Sequence, residues 1–244
     1  QLADRNGKKV KKNDALAAWK GLANCQGCGI RDMALFADLR RDDFTLIHLP
    51  IDELQFTAGG TIYHIGDAPD AVYTIRSGLV KLEQYLPAGG RRIVRLLRPG
   101  DTAGLEAVLG QPYAHTAVVL RPALTCRIPK AVIDRLSAET PRLQKQLMTR
   151  WSQAVARADA FLVELGTGSA RARVARRFLT LGGDDPASAC DRFGREDVGA
   201  MLGVTTETAS RTVAEFKRQK IIEELLPNRF RCDVDALQAI AEEV

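Results

Sequence analysis

The segment Arg195–Val213 has the sequence REDVGAMLGVTTETASRTV, and its pattern predicts two short amphipathic helices joined by a tight turn. In the first helix Val198 and Leu202 lie four positions apart, so their side chains share one apolar face. Gly203 is the hinge between the helices, and Thr205 can cap the second one. This pattern is typical of a helix-turn-helix.

The second helix presents a polar face on which Glu207, Ser210 and Arg211 occupy positions i, i+3 and i+4. Arginine donates to O6 and N7 of guanine, glutamate accepts from N4 of cytosine, and serine is permissive. We therefore predict that this helix reads base edges in the major groove, although a solvated helix of an ordinary helical domain shows the same spacing. The predicted DNA-binding residues are Thr206, Glu207, Thr208, Ser210, Arg211, Lys217 and Arg218.

Basic residues and a hairpin follow the second helix. Lys217 and Arg218 stand at its end, where DNA phosphates would lie. The segment Lys220–Glu223 leads into a hairpin, for which Leu226–Arg231 supplies the turn and a basic strand. The sequence therefore predicts a wing beside the helix-turn-helix, which favours DNA binding over the solvated-helix interpretation.

Composition is compatible with this prediction. The chain has 244 residues, enough for two domains, and its 35 Lys and Arg against 30 Asp and Glu give a net charge of +5, which suits a polyanionic partner. No apolar run is long enough to cross a bilayer. Five cysteines at irregular spacing argue against a disulfide scaffold, so we expect a cytoplasmic protein. No pattern of catalytic residues is recognisable, and we do not expect an enzyme.

Residues 25–139 predict an antiparallel barrel or jelly roll, because short strands alternate with glycine and proline turns. Tyr73–Glu83 indicates two strands around a Ser77-Gly78 turn, and Arg91–Leu97 indicates another strand. Residues 1–24 form the expected tail, loosely ordered and helical around Leu16–Leu22.

Residues 140–166 predict one long helix, with Thr140 as its cap and Pro141 at its first position. Apolar residues recur along it at alternating spacings of four and three, which favours pairing with the same helix of a second copy. Packing on the chain's own barrel explains part of the stripe. The seam comprises Leu147, Trp151, Ala154, Ala158, Phe161 and Leu165. Gly166–Gly168 ends this helix, Ser169 caps the next, and residues 167–244 form a winged helix-turn-helix domain.

The order of these parts resembles the Crp/Fnr family of bacterial transcription regulators from Cys25 to the C-terminus. The segment Glu207–Arg211 is similar to the E-x-x-S-R signature of the Fnr branch. The resemblance implies an α+β fold with an N-terminal β-roll sensor, a dimerisation helix and a winged helix-turn-helix. It implies a TTGAT-like inverted repeat, with Arg211 on guanine, Glu207 on the opposing base edges and Ser210 on a thymine. The implied partners are double-stranded DNA, a second copy of the chain and RNA polymerase.

Cyclic AMP is not expected as the effector. Cyclic-nucleotide binders of the family carry a Gly-Glu pair and an Arg-Ser pair in their phosphate cassette. In the corresponding stretch Leu105 replaces the ribose-binding glutamate, while His115 and Thr116 stand where arginine and serine would hold the phosphate.

The cysteines resemble part of an iron–sulfur site. Cys25 and Cys28 look like the start of the N-terminal cysteine group of oxygen-sensing Fnr proteins, and Cys126 looks like their distant ligand. Ala34 stands where the third N-terminal cysteine is expected.

Three interpretations remain open for Cys25, Cys28 and Cys126. They could hold a cluster whose fourth ligand is Asp32, His115 or an exogenous group, or form a thiol switch. They could also be bystanders, with Cys126 an ordinary buried side chain. We expect a response to oxygen or redox state; the alternatives are a small organic ligand, haem, or constitutive activity without a cysteine-based sensor.

Ala158 bears on dimerisation. In oxygen-sensing Fnr proteins the matching position is acidic and opposes dimer formation until a cluster is bound. The resemblance therefore implies that this chain dimerises without an effector.

Overall fold

A computed structural model describes residues 19–25, 28–87, 90–181, 190–191, 195–226 and 229–243. The chain divides into two compact units. The first comprises Gln1–Glu83 and Leu96–Ala154, and the second comprises Gln84–Arg95 and Val155–Val244. Among the described residues, no helix has the length and apolar character needed to cross a membrane.

An antiparallel sheet dominates the N-terminal part of the chain, as the sequence predicts. Its path runs β1-β2-β7-β4-β5, with β3 paired to β7 and β6 paired to β4. The strands are β1 (Trp19–Leu22), β2 (Asp52–Phe56), β3 (Thr61–Tyr63), β4 (Ala71–Tyr85), β5 (Arg91–Leu97), β6 (Thr102–Ala103) and β7 (Thr116–Pro129). The long strands β4 and β7 pair from Ala71 opposite Pro129 to Glu83 opposite Thr116. Apolar side chains of these strands form the core of the roll.

Two local sequence predictions are wrong here. Ser77 and Gly78 form no turn, because β4 continues through them with shifts of register against β7. Gly78 has φ +87°, and a Cβ there would lie 2.3 Å from the carbonyl oxygen of Pro122, so glycine permits a close approach of the two strands at a bulge. The helix expected around Leu16–Leu22 is a strand over Trp19–Leu22, paired with β2; residues 16–18 lie outside the described part.

Two helices follow the roll, α1 (Lys130–Glu139) and α2 (Pro141–Gly166). The bounds of α2 agree with the predicted long helix. The predicted side-chain cap at Thr140 is wrong, because its hydroxyl is buried and finds no hydrogen-bond partner among the described residues. The carbonyl oxygen of Thr140 instead accepts from the Leu143 amide at 3.2 Å.

Among its described residues, the second unit has four further helices and a small antiparallel sheet of order β8-β10-β9. The helices are α3 (Ala170–Leu181), α4 (Arg195–Leu202), α5 (Thr206–Arg218) and α6 (Val234–Ala241), and the strands are β8 (Cys190–Asp191), β9 (Ile222–Leu226) and β10 (Arg229–Cys232). Ser169 Oγ accepts from the Ala172 amide at 3.0 Å, as the predicted cap of α3 requires. Hairpin β9–β10 is the predicted wing, although its turn residues 227 and 228 lie outside the described part. Phe216 and Phe230 are fully buried between the helices and this sheet.

Candidate DNA-binding surface and cysteine cleft

The turn between α4 and α5 is held by small residues and one cap. Gly203 has φ +66°, and its amide donates to the Gly199 carbonyl at 3.0 Å. A Cβ at Gly199 would lie 2.9 Å from the Val204 carbonyl oxygen, so glycine lets the turn fold against α4. Thr205 Oγ1 accepts from the Thr208 amide at 3.1 Å and caps α5, as predicted. The local geometry is that of a helix-turn-helix.

Glu207 and Arg211 lie on the exposed face of α5. Arg211 Nη2 donates to Glu207 Oε1 at 2.8 Å, and the two side chains are 77% (Glu207) and 74% (Arg211) exposed. Ser210 is half-buried beside them, and Thr206 is exposed at the start of the helix. Thr208 Oγ1 lies 2.8 Å from Thr205 Oγ1, so its hydroxyl belongs to the cap. The outer face of α5 thus carries a carboxylate paired with a guanidinium, and the Ser210 hydroxyl lies beside them.

Lys217 is bound to the wing. Its ammonium pairs with Glu224 on β9 and lies 5.1 Å from the ring centroid of Phe230 on β10. A second pair, between Arg231 and Glu223 at 3.1 Å, crosses the hairpin on its exposed side. Sequence reasoning missed that Lys217 fastens α5 to the wing, because that contact joins residues on separate elements. Arg218, the next residue, is exposed.

The predicted seam on α2 is only partly available to a partner. Leu147 and Leu165 are buried within the chain, while Trp151 is 37% exposed. Ala154, Ala158 and Phe161 are half-buried. Met148, Val155 and Leu162, which sequence reasoning missed, are 72%, 50% and 66% exposed. Met148, Val155 and Leu162 follow one another at intervals of seven positions. Together with Trp151 and Ala158 they form a stripe of alternating spacing three and four, which we call the outer stripe.

Cys25, Cys28 and Cys126 line one cleft of the first unit, of about 380 Å³ and partly open to solvent. Cys25 follows β1, and Cys126 lies on β7 opposite Glu53 of β2 and Thr74 of β4. The other lining residues are Ile30, Ala34, Leu35, Phe36, Ile51, Thr74, Arg76 and Ile128. The fold therefore brings Cys126 into one cleft with Cys25 and Cys28, which are far from it in sequence.

Burial raises the pKa of two of these thiols, so both stay protonated well above neutral pH. Burial raises the pKa of Cys25 to about 11, with a further rise from Cys28 and an opposing effect of the Arg76 guanidinium. Burial likewise raises the pKa of Cys126 to about 12, again opposed by Arg76. Arg76 is ion-paired with Glu53, which reduces its influence on the sulfurs.

The cleft contains three of the thiols that a four-cysteine iron–sulfur cluster needs, and it lacks the fourth. Ala34 lines it with a methyl group, and neither Asp32 nor His115 is among the lining residues. Within the part of the chain that the structure describes, no three His, Cys, Asp or Glu side chains are arranged to bind one metal ion. The Thr74 hydroxyl is buried at the cleft and has no hydrogen-bond partner among the described residues, so it offers a polar contact that the sequence did not indicate.

Polar side chains of the phosphate-cassette segment face residues of the protein itself. His115 Nδ1 lies 3.8 Å from Glu106 Oε1, and Thr116 Oγ1 accepts from the Ile65 amide at 3.1 Å. Leu105 is buried in the short 3-10 helix Leu105–Leu109. No guanidinium stands at the positions that resemble the phosphate contact.

Models of two protein-domain families match parts of this chain. Residues 53–140 match the cyclic nucleotide-binding domain, and residues 172–240 match the Crp-like helix-turn-helix domain. The chain belongs to the Crp/Fnr family. This Crp/Fnr protein is a DNA-binding transcription regulator with an antiparallel β-roll and a C-terminal helix-turn-helix.

Named relatives and solved structures are similar along most of this Crp/Fnr chain. The transcriptional regulatory protein btr of Bordetella pertussis is 28% identical over 82% of this chain and 86% of its own length. The fumarate and nitrate reduction regulatory protein of Vibrio cholerae is 26% identical over 82% of each chain. A CRP-family regulator from Thermus thermophilus is 26% identical with a TM-score of 0.68, covering 78% of this chain and 97% of its own. FixK2 from Bradyrhizobium japonicum, at 22% identity, shares the fold with a TM-score of 0.70 over 80% of this chain and 100% of its own.

Proposed function

We propose that this regulator binds a TTGAT-like inverted repeat as a homodimer, and that Cys25, Cys28 and Cys126 make its DNA binding respond to oxygen or redox state. The observation that carries the proposal is the convergence of three cysteines in one cleft of a protein whose α5 presents Glu207 and Arg211 to solvent. RNA polymerase is the further partner that we propose for the DNA-bound protein.

Base reading follows from the exposed pair on α5. The Glu207 carboxylate holds the Arg211 guanidinium in one direction before DNA is bound, which reduces the side-chain entropy lost on binding. In the groove the guanidinium donates to O6 and N7 of guanine, and the carboxylate accepts from cytosine N4. A half-site therefore needs a G·C pair at the position facing this pair of residues.

Dimerisation follows from the outer stripe of α2. Met148, Val155 and Leu162 expose apolar surface at a repeat of seven, and a second copy of the same helix offers the matching surface. The side chain at the intervening position Ala158 is small and uncharged, so two copies meet there without charge repulsion. We propose that the seam consists of these residues together with Trp151.

The cleft is the proposed sensor. An iron–sulfur cluster in the cleft would be held by Cys25, Cys28 and Cys126 with an exogenous fourth ligand, and it would supply electron-transfer chemistry. The lining is mainly apolar, and binding of iron would displace the thiol protons that burial retains. The Thr74 hydroxyl could then donate a hydrogen bond into the cleft.

Within the first unit, a hydrogen bond connects the cleft to α2, the helix of the proposed dimer contact. Arg150 of α2 donates from Nη2 to the carbonyl oxygen of Ala34 at 2.9 Å, and Ala34 lines the cleft. Arg150 precedes Trp151 of the proposed seam. We propose that a change in cleft occupancy moves the Ala34 segment and, through this hydrogen bond, changes the pairing of α2.

A second candidate is a regulator whose effector is a small organic molecule. The favouring observation is the mainly apolar lining of the cleft. Cyclic AMP is a poor candidate, because the cassette segment has no arginine and places the Glu106 carboxylate 3.8 Å from His115 Nδ1.

The test compares purified protein prepared with and without air. We expect the air-free protein to show a broad iron–sulfur absorption band and to bind a TTGAT-type palindrome with an affinity that changes on exposure to air. Cys25→Ala and Cys126→Ala should each abolish both properties. Cys232→Ala, on β10 of the second unit, is the matched control and should preserve them. An unchanged response in both cleft variants would reject the sensor and leave the DNA-reading assignment standing.

A further inference from the structure

The guanidinium of Arg176 joins the C-terminal ends of two helices in the second unit. Its Nε donates to the Ala241 carbonyl at 2.9 Å, at the end of α6. Its Nη1 donates to the carbonyls of Glu164 and Thr167 at 3.1 and 2.8 Å, in the last turn of α2 and just beyond it. Carbonyls at a helix C-terminus lack helical partners and carry partial negative charge, so a cation that donates to both ends is favourable.

The connection from α2 to α3 packs on this same guanidinium. Gly168 has φ +80°, and a Cβ there would lie 3.2 Å from Arg176 Nη2. The Thr167 hydroxyl donates to the Val163 carbonyl at 2.6 Å and lies 3.4 Å from Arg176 Nη1. The backbone at this connection is therefore held on both sides, by α2 itself and by a side chain from α3.

Two other arginines of α3 bind the helix-turn-helix instead. Arg173 Nη1 donates to the Leu202 carbonyl at 2.7 Å, at the end of α4. Arg171 pairs with Glu215 of α5 at 2.6 Å and lies 5.4 Å from the ring centroid of Phe216. These contacts make α3, α4 and α5 one block, and Arg176 fixes that block to the end of α2.

We propose that Arg176 is a positioning residue that sets the spacing between the two DNA half-sites. The inference rests on the proposed dimer, in which α2 is common to both copies and each α5 enters a major groove. Each added base pair moves a half-site by about 3.4 Å and rotates it by about 34°. A rigid connection between α2 and α5 therefore accepts one spacer length, and a loosened connection accepts several.

The experiment measures affinities for palindromes whose spacers differ by one base pair, and for a single half-site. The parent should bind its best spacer about tenfold more tightly than the neighbouring lengths, since a mismatch must be absorbed by deforming the DNA. Arg176→Ala should reduce this preference to less than about threefold, while its single half-site affinity stays within about twofold of the parent. Arg176→Lys keeps the charge but has a single donor group, and it should give an intermediate preference.

Arg135→Ala is the control, because it removes a guanidinium from an exposed pair with Glu139 on α1 and leaves the connection from α2 to α5 untouched. It should keep the spacer preference of the parent. A sharp spacer optimum in both folded Arg176 variants would overturn the inference. A parent that binds a palindrome no better than a single half-site would overturn the proposed dimeric binding together with it.

Discussion

Glu207 and Arg211 are ion-paired at 2.8 Å on α5 although about three quarters of each side chain is exposed to solvent. Exposed pairs of this kind contribute about 0.3–0.5 kcal/mol to a helix, too little to explain them as a stabilising device. The pair presents a guanidinium donor and a carboxylate acceptor on the same exposed face of α5. This arrangement is the one that the proposed base reading requires.

Arg211→Ala should lose the bidentate contact to guanine and cost about 1–3 kcal/mol per half-site, roughly doubled on a full palindrome. Binding isotherms on a TTGAT-type palindrome and on a version with the guanine replaced will measure the loss of discrimination. Arg218→Ala is the control, since an exposed basic residue at the helix end should contact phosphate only. It should weaken binding to both sequences equally and flatten the salt dependence. If Arg211→Ala discriminates as well as the parent, α5 is not the reader.

Lys217→Ala should destabilise the second unit. It removes the pair with Glu224 and the contact with the Phe230 ring, together about 1 kcal/mol of unfolding free energy. Urea unfolding will measure it. Lys130→Ala is the comparison, because its pair with Asp134 is an exposed i,i+4 contact, and it should cost about 0.3–0.5 kcal/mol. Equal effects of the two substitutions would show that the wing contact adds nothing.

Most features set by neighbours in sequence were predictable, the side-chain cap at Thr140 being an exception, and features set by distant contacts were not. Thr205 caps α5 by accepting a hydrogen bond from the Thr208 amide, three positions later, so the cap could be recognised from the sequence spacing alone. Ser77-Gly78 has the composition of a turn, and only the approach of Pro122 on β7 makes it a bulge. Leu147 and Met148 both fit an apolar stripe on α2. Packing against the chain's own body buries the first and leaves the second exposed.

Leu162→Glu should produce monomers and weaken palindrome binding, because it places a charge in the apolar contact between two outer stripes. Light scattering at micromolar concentration will measure the mass. Leu109→Glu changes an equally exposed leucine of the roll, 61% against 66%, and should leave the mass unchanged. If the Leu162→Glu protein remains dimeric, the contact between the two copies lies elsewhere on α2.

Thiol reactivity should follow the raised pKa values. Cys25 should be alkylated slowly at pH 8, with a rate that rises through about pH 11, because burial favours the neutral thiol. A raised pKa of an acid means that the folded state retains protons that the unfolded state loses. Stability should therefore be full below about pH 9 and fall as the pH rises toward the folded pKa. Site-resolved mass spectrometry will measure the rates.

Arg76→Gln provides a directional check of the same environment. The Arg76 guanidinium lowers the pKa of both Cys25 and Cys126, so its removal should raise both values and slow alkylation further. Glu53→Gln removes a charge that raises the pKa of Cys126 and should speed alkylation of that thiol. Faster labelling of Cys126 in Arg76→Gln would contradict the assigned electrostatics.

Arg150→Met should uncouple the cleft from the dimer helix. The substitution keeps an apolar stem of similar length but removes the hydrogen bond to the Ala34 carbonyl. We expect the variant to retain its cleft chromophore and its sequence preference, and to bind the palindrome with the same affinity in air and without it. Arg142→Met is the matched control on the same helix, because Arg142 pairs with Asp43 at 2.7 Å, and neither residue lines the cleft. It should be less stable at neutral pH and keep the full response to air. If Arg150→Met responds to air as the parent does, the hydrogen bond between Arg150 and Ala34 does not carry the signal, and the signal leaves the cleft by another route.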